Sequence, residues 1–237
     1  DRTMLRKGDL TQGGIITTLL QFTLPMLAGS LLQQCYNIAD TLIVGQFIGA
    51  NALAAVGSAY TLMVFLISIL LGLSMGSGTV FSLQYGAGDL SALRRSIYVS
   101  LLLIGTVTIL LNVAVFLWLD PILRWLQVPY DIYSLMRNYL WIIFWGIVFT
   151  FLYNFYAALL RAVGDSVTPL WFLAVSVVLN IGLDLFLILV LDQGIEGAAV
   201  ATVIAQGTAA SGILLYTYKT RPELRLHRED MCFDRSS

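Results

Sequence analysis

The chain has 237 residues, 58% of them hydrophobic and only 11% charged, with a mean hydropathy of +0.84. That composition excludes a soluble globule. Its 13 Lys and Arg nearly balance 14 Asp and Glu, so there is no overall basic field to recruit nucleic acid. Two cysteines, Cys35 and Cys232, make neither a disulfide framework nor a metal-ligand cluster, and the single histidine, His227, removes most imidazole chemistry. The partner that composition points to is the lipid bilayer.

A spanning helix needs about 20 mostly apolar residues to cross roughly 30 Å of hydrocarbon. Six stretches meet that length: Ile15 to Gln46, Ala52 to Gln84, Ser96 to Leu119, Ile132 to Leu159, Thr168 to Leu191, and Gly197 to Tyr218. Turn chemistry separates them at Gly86-Ala87-Gly88-Asp89, Asp120-Pro121, Val128-Pro129, Gly164-Asp165 and Asp192-Gln193-Gly194. The predicted fold class is all-α and integral to the membrane, a six-helix transmembrane bundle. Residues 1–14 read as a cytoplasmic amino-terminal segment, 15–218 as the six-helix lobe, and 219–237 as a charged cytoplasmic tail.

The first span contains Pro25, whose ring and missing N–H predict a kink about ten residues into the helix. Farther along, Gln33, Asn37 and Asp40 share one helical face. In the second span Gly72, Gly76 and Gly78 predict close helix packing. Between the third and fourth spans, Asp120 to Asp131 with Trp125, Pro129 and Tyr130 reads as an interfacial stretch. The fourth span carries Trp141, Phe144, Trp145, Phe149, Phe151, Tyr153, Phe155 and Tyr156 on all its faces, so most must meet lipid or core. On the fifth span Ser176, Asn180 and Asp184 form a second polar stripe. The sixth carries a narrower one of Ala198, Thr202 and Gln206.

Basic residues near span ends are retained on the cytoplasmic side. With the amino terminus inside, the inner segments hold Arg2, Arg6, Lys7, Arg94, Arg95, Arg161, Lys219, Arg221, Arg225, Arg228 and Arg235. The outer segments hold only Arg124 and Arg137, which predicts a multi-pass protein of a cytoplasmic membrane with both ends of the chain inside.

Apart from Arg137 near the outer end of the fourth, no Lys or Arg falls within the six predicted spans, yet Asp40 and Asp184 do. An ionised carboxylate in hydrocarbon costs at least several kcal/mol, so each must bind a cation, take up a proton or face water. Depth brings them together. Asp40 lies about six residues from the outer end of its helix, Asp184 about eight and Thr202 about five, or roughly 9, 12 and 8 Å. Tyr139 falls near the same height and Asn180 about one turn deeper. These residues predict a cation site built from Asp40, Asn180, Asp184 and Thr202, with Tyr139 beside it, able to take H⁺ or Na⁺. The competing reading makes both aspartates inert interfacial residues.

Four segments carry a family resemblance. Tyr36 to Gly45, followed by Gly49 to Ala55, resembles the first helix and loop of multidrug and toxic compound extrusion (MATE) transporters. Leu160 to Pro169 resembles their loop between helices four and five, Leu179 to Asp184 their fifth-helix motif, and Gly194 to Thr202 the start of helix six. The resemblance implies one lobe of a twelve-helix, two-lobe antiporter that exports organic, often cationic, compounds in exchange for H⁺ or Na⁺. It makes Asp40, Asn180, Asp184 and Thr202 the amino-terminal lobe's cation cluster, Tyr139 an accessory contact, and Gln33, Asn37, Ser176 and Gln206 polar lining of the cavity. Under it the chain is expected to be an amino-terminal fragment lacking its carboxy-terminal lobe, the charged tail being the start of the interlobe connection. A truncated gene product and a half-transporter that dimerises compete with that expectation.

No cofactor is expected beyond the coupling ion. An enzyme is disfavoured, because the spans hold no histidine, metal cluster or nucleophile-base pair. Two alternatives remain: a lipid-linked saccharide flippase, which requires basic residues in the cavity, and a structural bundle that transports nothing.

Overall fold

The computed structural model describes residues 14–221, entirely helical apart from short loops. The elements are α1 (Ile15–Phe47), α2 (Ala50–Gly86), α3 (Leu90–Leu117), α4 (Leu119–Trp125), α5 (Tyr130–Trp145), α6 (Ile147–Ala162), α7 (Val167–Leu185) and α8 (Ile195–Thr220). A π-helical turn, Phe186–Val190, extends α7. Five helical stretches are long and apolar enough to cross a membrane, and the bent pair α5–α6 makes a sixth. The predicted number of spans and their order hold. The assignments to 1–13 and to 222–237 lie outside the described residues.

Most breaks fall where the turn residues put them, but Asp120-Pro121 lies in the first turn of α4, where proline is tolerated, and the break from α3 is at Trp118. Asp89 caps α3 by accepting a hydrogen bond from the Ala92 N–H at 3.1 Å. Gly164 and Gly194 take φ of +94° and +65°, a left-handed region that suits glycine at a helix boundary. Around Gly164, Asp165 accepts from the Val167 and Thr168 N–H groups and, at 2.6 Å, from the Thr168 hydroxyl, so its carboxylate closes the start of α7.

One predicted span is not a single helix. Ile132 to Leu159 divides at Gly146 into α5 and α6, bent by 47°. Glycine is a weak helix former, and here close approach requires it: a Cβ on Gly146 would lie 2.8 Å from Gln206 Oε1 and 3.1 Å from Val203 Cγ2 of α8. The glycines of α2 correct a second expectation. Only Gly78 nears another helix, 3.7 Å from Ala158, whereas Gly72 and Gly76 face open space. They lie on a part of α2 that no other described helix covers.

α8 forms the centre of the bundle, packed on α5, α6 and α7. Ala198, Ala199, Ala201, Ala205, Ala209 and Ala210 are all buried on it, small enough to let neighbouring backbones approach. A second packing zone joins α2, α3 and the α5–α6 pair, where Phe81 and Phe155 meet edge-on with centroids 5.8 Å apart. The aromatic run divides as predicted: Phe144, Phe151 and Phe155 are buried, while Trp141 and Trp145 are exposed.

The helix α1 is different. It leans chiefly on α7 and buries just three residues, Asp40, Ile43 and Val44. It runs through Pro25 as one helix. Proline denies the Gln21 carbonyl its usual partner, and the Ser166 hydroxyl donates to the adjacent Phe22 carbonyl at 2.8 Å, tying this part of α1 to the start of α7.

Candidate functional site

An aspartate among the three buried residues of an otherwise exposed helix is aimed at something. Asp40 is 7% exposed and Asp184, on α7, is fully buried. Their carboxyl groups are close enough to interact directly. Asp40 Oδ1 and both oxygens of Asp184 have no hydrogen-bond partner among the described residues. Among the described residues, no Lys or Arg acts on either group. Tyr139 on α5 is buried within electrostatic reach of both. Two acids brought together in the interior, with no described donor to either Asp184 oxygen, are costly to leave ionised.

Beside the acids lies a hydrogen-bonded layer that centres on a residue the polar stripes left out. Asn180 Nδ2 donates to the Tyr36 hydroxyl at 2.7 Å, and that hydroxyl stands 3.2 Å from Thr202 Oγ1. Asn180 also reaches Thr202 Oγ1 at 3.5 Å, and Thr202 donates to the Ala198 carbonyl at 3.0 Å. Asn180 and Thr202 are therefore tied to one another through Tyr36, and no hydrogen bond among those described joins Thr202 to either aspartate. Thr202 thus bonds within the Asn180 layer. Tyr36 stands four residues before Asp40, on the same face of α1, so helical spacing would have found it had tyrosine been counted as polar.

The same layer forms one wall of a cavity of about 400 Å³. Tyr36, Asn180 and Thr202 line it together with Gln33, Asn37, Ser176 and Gln206. Asp40, Asp184 and Tyr139 do not line it. The acids sit behind the tyrosine layer. Ser176 donates to the Ala205 carbonyl at 3.3 Å, linking α7 to α8. Tyr153, Asn154 and Thr150 of α6 complete a wall that the polar stripes did not predict.

A second cavity, of about 310 Å³, shares Gln33, Gln34, Tyr153 and Asn154 with the first and extends to Pro25, Ser166 and Arg161. Arg161, expected in a loop beyond the fourth span, occupies the last turn of α6, and its side chain lines this cavity. A further signal follows Asp184 directly: the π-helical turn at Phe186–Val190, a local widening found often near functional sites.

The MatE family model matches residues 25–186. The chain belongs to the MatE family. Its members are transporters, not enzymes, and the chain is a multi-pass membrane protein. Among curated relatives, the probable multidrug resistance protein YpnP of Bacillus subtilis (strain 168) is 37% identical over 211 residues, 89% of this chain and 47% of that protein. The multidrug export protein MepA of Staphylococcus aureus (strain NCTC 8325 / PS 47) is 31% identical over 213 residues, 86% of this chain and 46% of that protein. The chain spans about half the length of the curated relatives it matches.

Solved structures agree on the fold. A MATE protein crystallised in a straight conformation superposes with a TM-score of 0.88 at 24% identity, covering 96% of this chain and 51% of that one. Its bent conformation gives 0.86 at 24% identity, covering 98% and 51%. An outward-facing multidrug resistance MATE family transporter gives 0.87 at 23% identity, covering 97% and 50%. The six-helix bundle thus matches half of each.

Proposed function

We propose that this chain supplies one lobe of a cation-coupled antiporter that exports organic, often cationic, compounds across a cytoplasmic membrane. The observation that carries this reading is the facing pair Asp40 and Asp184, buried with oxygens that have no hydrogen-bond donor, and no basic companion, among the described residues. External H⁺ or Na⁺ neutralises the pair. Na⁺ would draw oxygen ligands from Asp40, Asp184, Asn180 and Thr202, with Tyr139 at the edge; a proton would be shared between the two acids. Because the acids lie behind the Tyr36–Asn180–Thr202 layer, neutralising them changes what that layer presents to the cavity. Coupling then requires that the two transport conformations bind the cation with different affinity.

Orientation follows from the basic residues of the inner segments and puts Arg161 at the cytoplasmic end and the acids in the outer half. Pro25 sits in the lower part of α1, where bending would move Asp40. The segment 15–218 is the lobe, and the other half of the pathway is contributed by a second lobe, which the half-length match to relatives supports. The flippase reading gains one point from Arg161 in a cavity wall, yet a single guanidinium at the rim offers little to a pyrophosphate.

The test is dye efflux from proteoliposomes carrying the intact transporter, with pH and Na⁺ gradients imposed separately. Asp40→Asn and Asp184→Asn are each expected to reduce gradient-driven efflux to the background of empty vesicles. Efflux undiminished in both variants would remove the mechanism and favour a structural bundle.

A further inference from the structure

At the opposite end of the polar path from the acids, Arg161 presents a problem of its own. Its Nε is buried and has no hydrogen-bond partner among the described residues. An arginine has five N–H donors in a fixed fork and no acceptor, so a buried N–H without a partner is costly unless something with oxygens comes to it. Among the described residues that line this cavity there is no carboxylate: besides Arg161 its polar groups are neutral amides and hydroxyls, such as Gln33, Gln34, Asn154 and Ser30. The carboxylate adjacent in sequence, Asp165, is directed to the start of α7, where it holds Thr168 and Val167. The Ser166 hydroxyl is also committed, to Phe22. An arginine near a helix carboxyl end eases the helix dipole, but that role leaves Nε unexplained.

We propose that Arg161 and the amides of Gln34 and Asn154 form an oxyanion-binding subsite, taking a carboxylate or phosphate group from a ligand that enters the 310 Å³ cavity. A planar guanidinium pairs with either group through parallel N–H···O bonds, and amide N–H groups complete the shell. The shared residues Gln33, Gln34, Tyr153 and Asn154 make this subsite continuous with the larger cavity, so an organic anion held here has a path along the lobe. The subsite stands apart from the coupling mechanism, since it needs no gradient and neither aspartate.

The experiment measures binding to the purified intact protein in neutral detergent, using fluorescein as the anionic probe and ethidium as the cationic one, by fluorescence polarisation. Arg161→Gln is expected to weaken fluorescein binding at least tenfold and leave ethidium within twofold, which also reports that the protein is folded. Arg161→Lys is expected to fall between, keeping the charge but losing the fork. Displacement of fluorescein by phosphatidylglycerol in nanodiscs, against phosphatidylcholine controls, would assign the subsite to a lipid headgroup. Displacement by inorganic phosphate alone would assign it to a soluble anion. Fluorescein binding unchanged in Arg161→Gln, or weakened equally with ethidium, overturns the proposal. Failure of the aspartate variants to lose coupled efflux would leave these outcomes unaffected.

Discussion

The two ends of the polar path along this lobe carry opposite charge and solve the burial problem differently. At one end two acids are fully enclosed behind a tyrosine layer; at the other a single guanidinium lines an open cleft. Under the proposed function, enclosure suits the acidic end to a small ion, since neither described cavity is lined by Asp40 or Asp184. Openness makes the basic end suited to a larger group. The comparison separates coupling from recognition: both ends belong to one polar surface, but only one is sealed.

The largest effect should come from unsealing this logic at the acids. Beyond its expected loss of coupled efflux, Asp184→Asn should make the protein more stable by about 1–3 kcal/mol, because burying this acid costs stability at neutral pH whether it stays charged or takes up a proton. Activity and stability would then move in opposite directions, the mark of a residue retained for function. A thermal midpoint measured in detergent checks it, and a fall of similar size would mean that the acid is structurally paired in a way the bundle does not reveal.

Next in size is Tyr36, which divides the sealed compartment from the open one. Tyr36→Phe removes the acceptor of Asn180 and the neighbour of Thr202 and keeps the ring. A stability loss of about 1–2 kcal/mol is expected, together with efflux that responds less steeply to the gradient. An unchanged dependence of efflux rate on gradient size would show that the layer does not transmit the state of the acids. Smaller still is Gly146→Ala, at the bend beside the cavity wall. The new methyl would press on Gln206, whose amide end can shift, and on Val203 and the Ile143 carbonyl, which have less freedom. A loss of about 1 kcal/mol, the low end for overpacking, is expected in chemical or thermal unfolding.

Much of this was legible in residues alone because a membrane makes polar side chains conspicuous. Asp40 and Asp184 stood out against an apolar background, and helical spacing was enough to join them to Asn180 and to predict the lining residues Gln33, Asn37, Ser176 and Gln206. Tyr36 was hidden because an amphipathic ring reads as hydrophobic in a run of apolar residues, although its hydroxyl is what organises the layer. The bend at Gly146 was hidden for another reason: a lone glycine within an apolar run gives no boundary signal, and the demand for it comes from Gln206 and Val203, some sixty residues later in the chain. Arg161 was misplaced because span length was counted only to Leu159, so a helix that continues through Ala162 carried its last-turn arginine into a cavity unseen.

The smallest effect belongs at a charged cluster exposed on the surface, which tests whether enclosure, rather than charge, gives the acids their weight. Asp120 on α4 accepts from the Tyr133 hydroxyl and from Arg137 Nε, each at 2.8 Å. The Tyr133 hydrogen bond, and then Arg137, hold its carboxyl below the usual carboxylate range. A carboxyl lowered in the folded state stabilises above its unfolded value and loses that contribution as the pH falls through the folded one. The contribution should therefore be complete at neutral pH and fade only in acid, below about pH 4. With side chains 43% and 41% exposed, the Arg137–Asp120 pair is screened by water, so Asp120→Asn should cost well under 1 kcal/mol at pH 7 and progressively less as the pH falls below about 4. Unfolding of both forms across that range checks the sign. A loss as large as that at Tyr36 would mean that exposed and enclosed charges weigh alike in this lobe, and the distinction between its sealed and open ends would no longer explain why the aspartates matter.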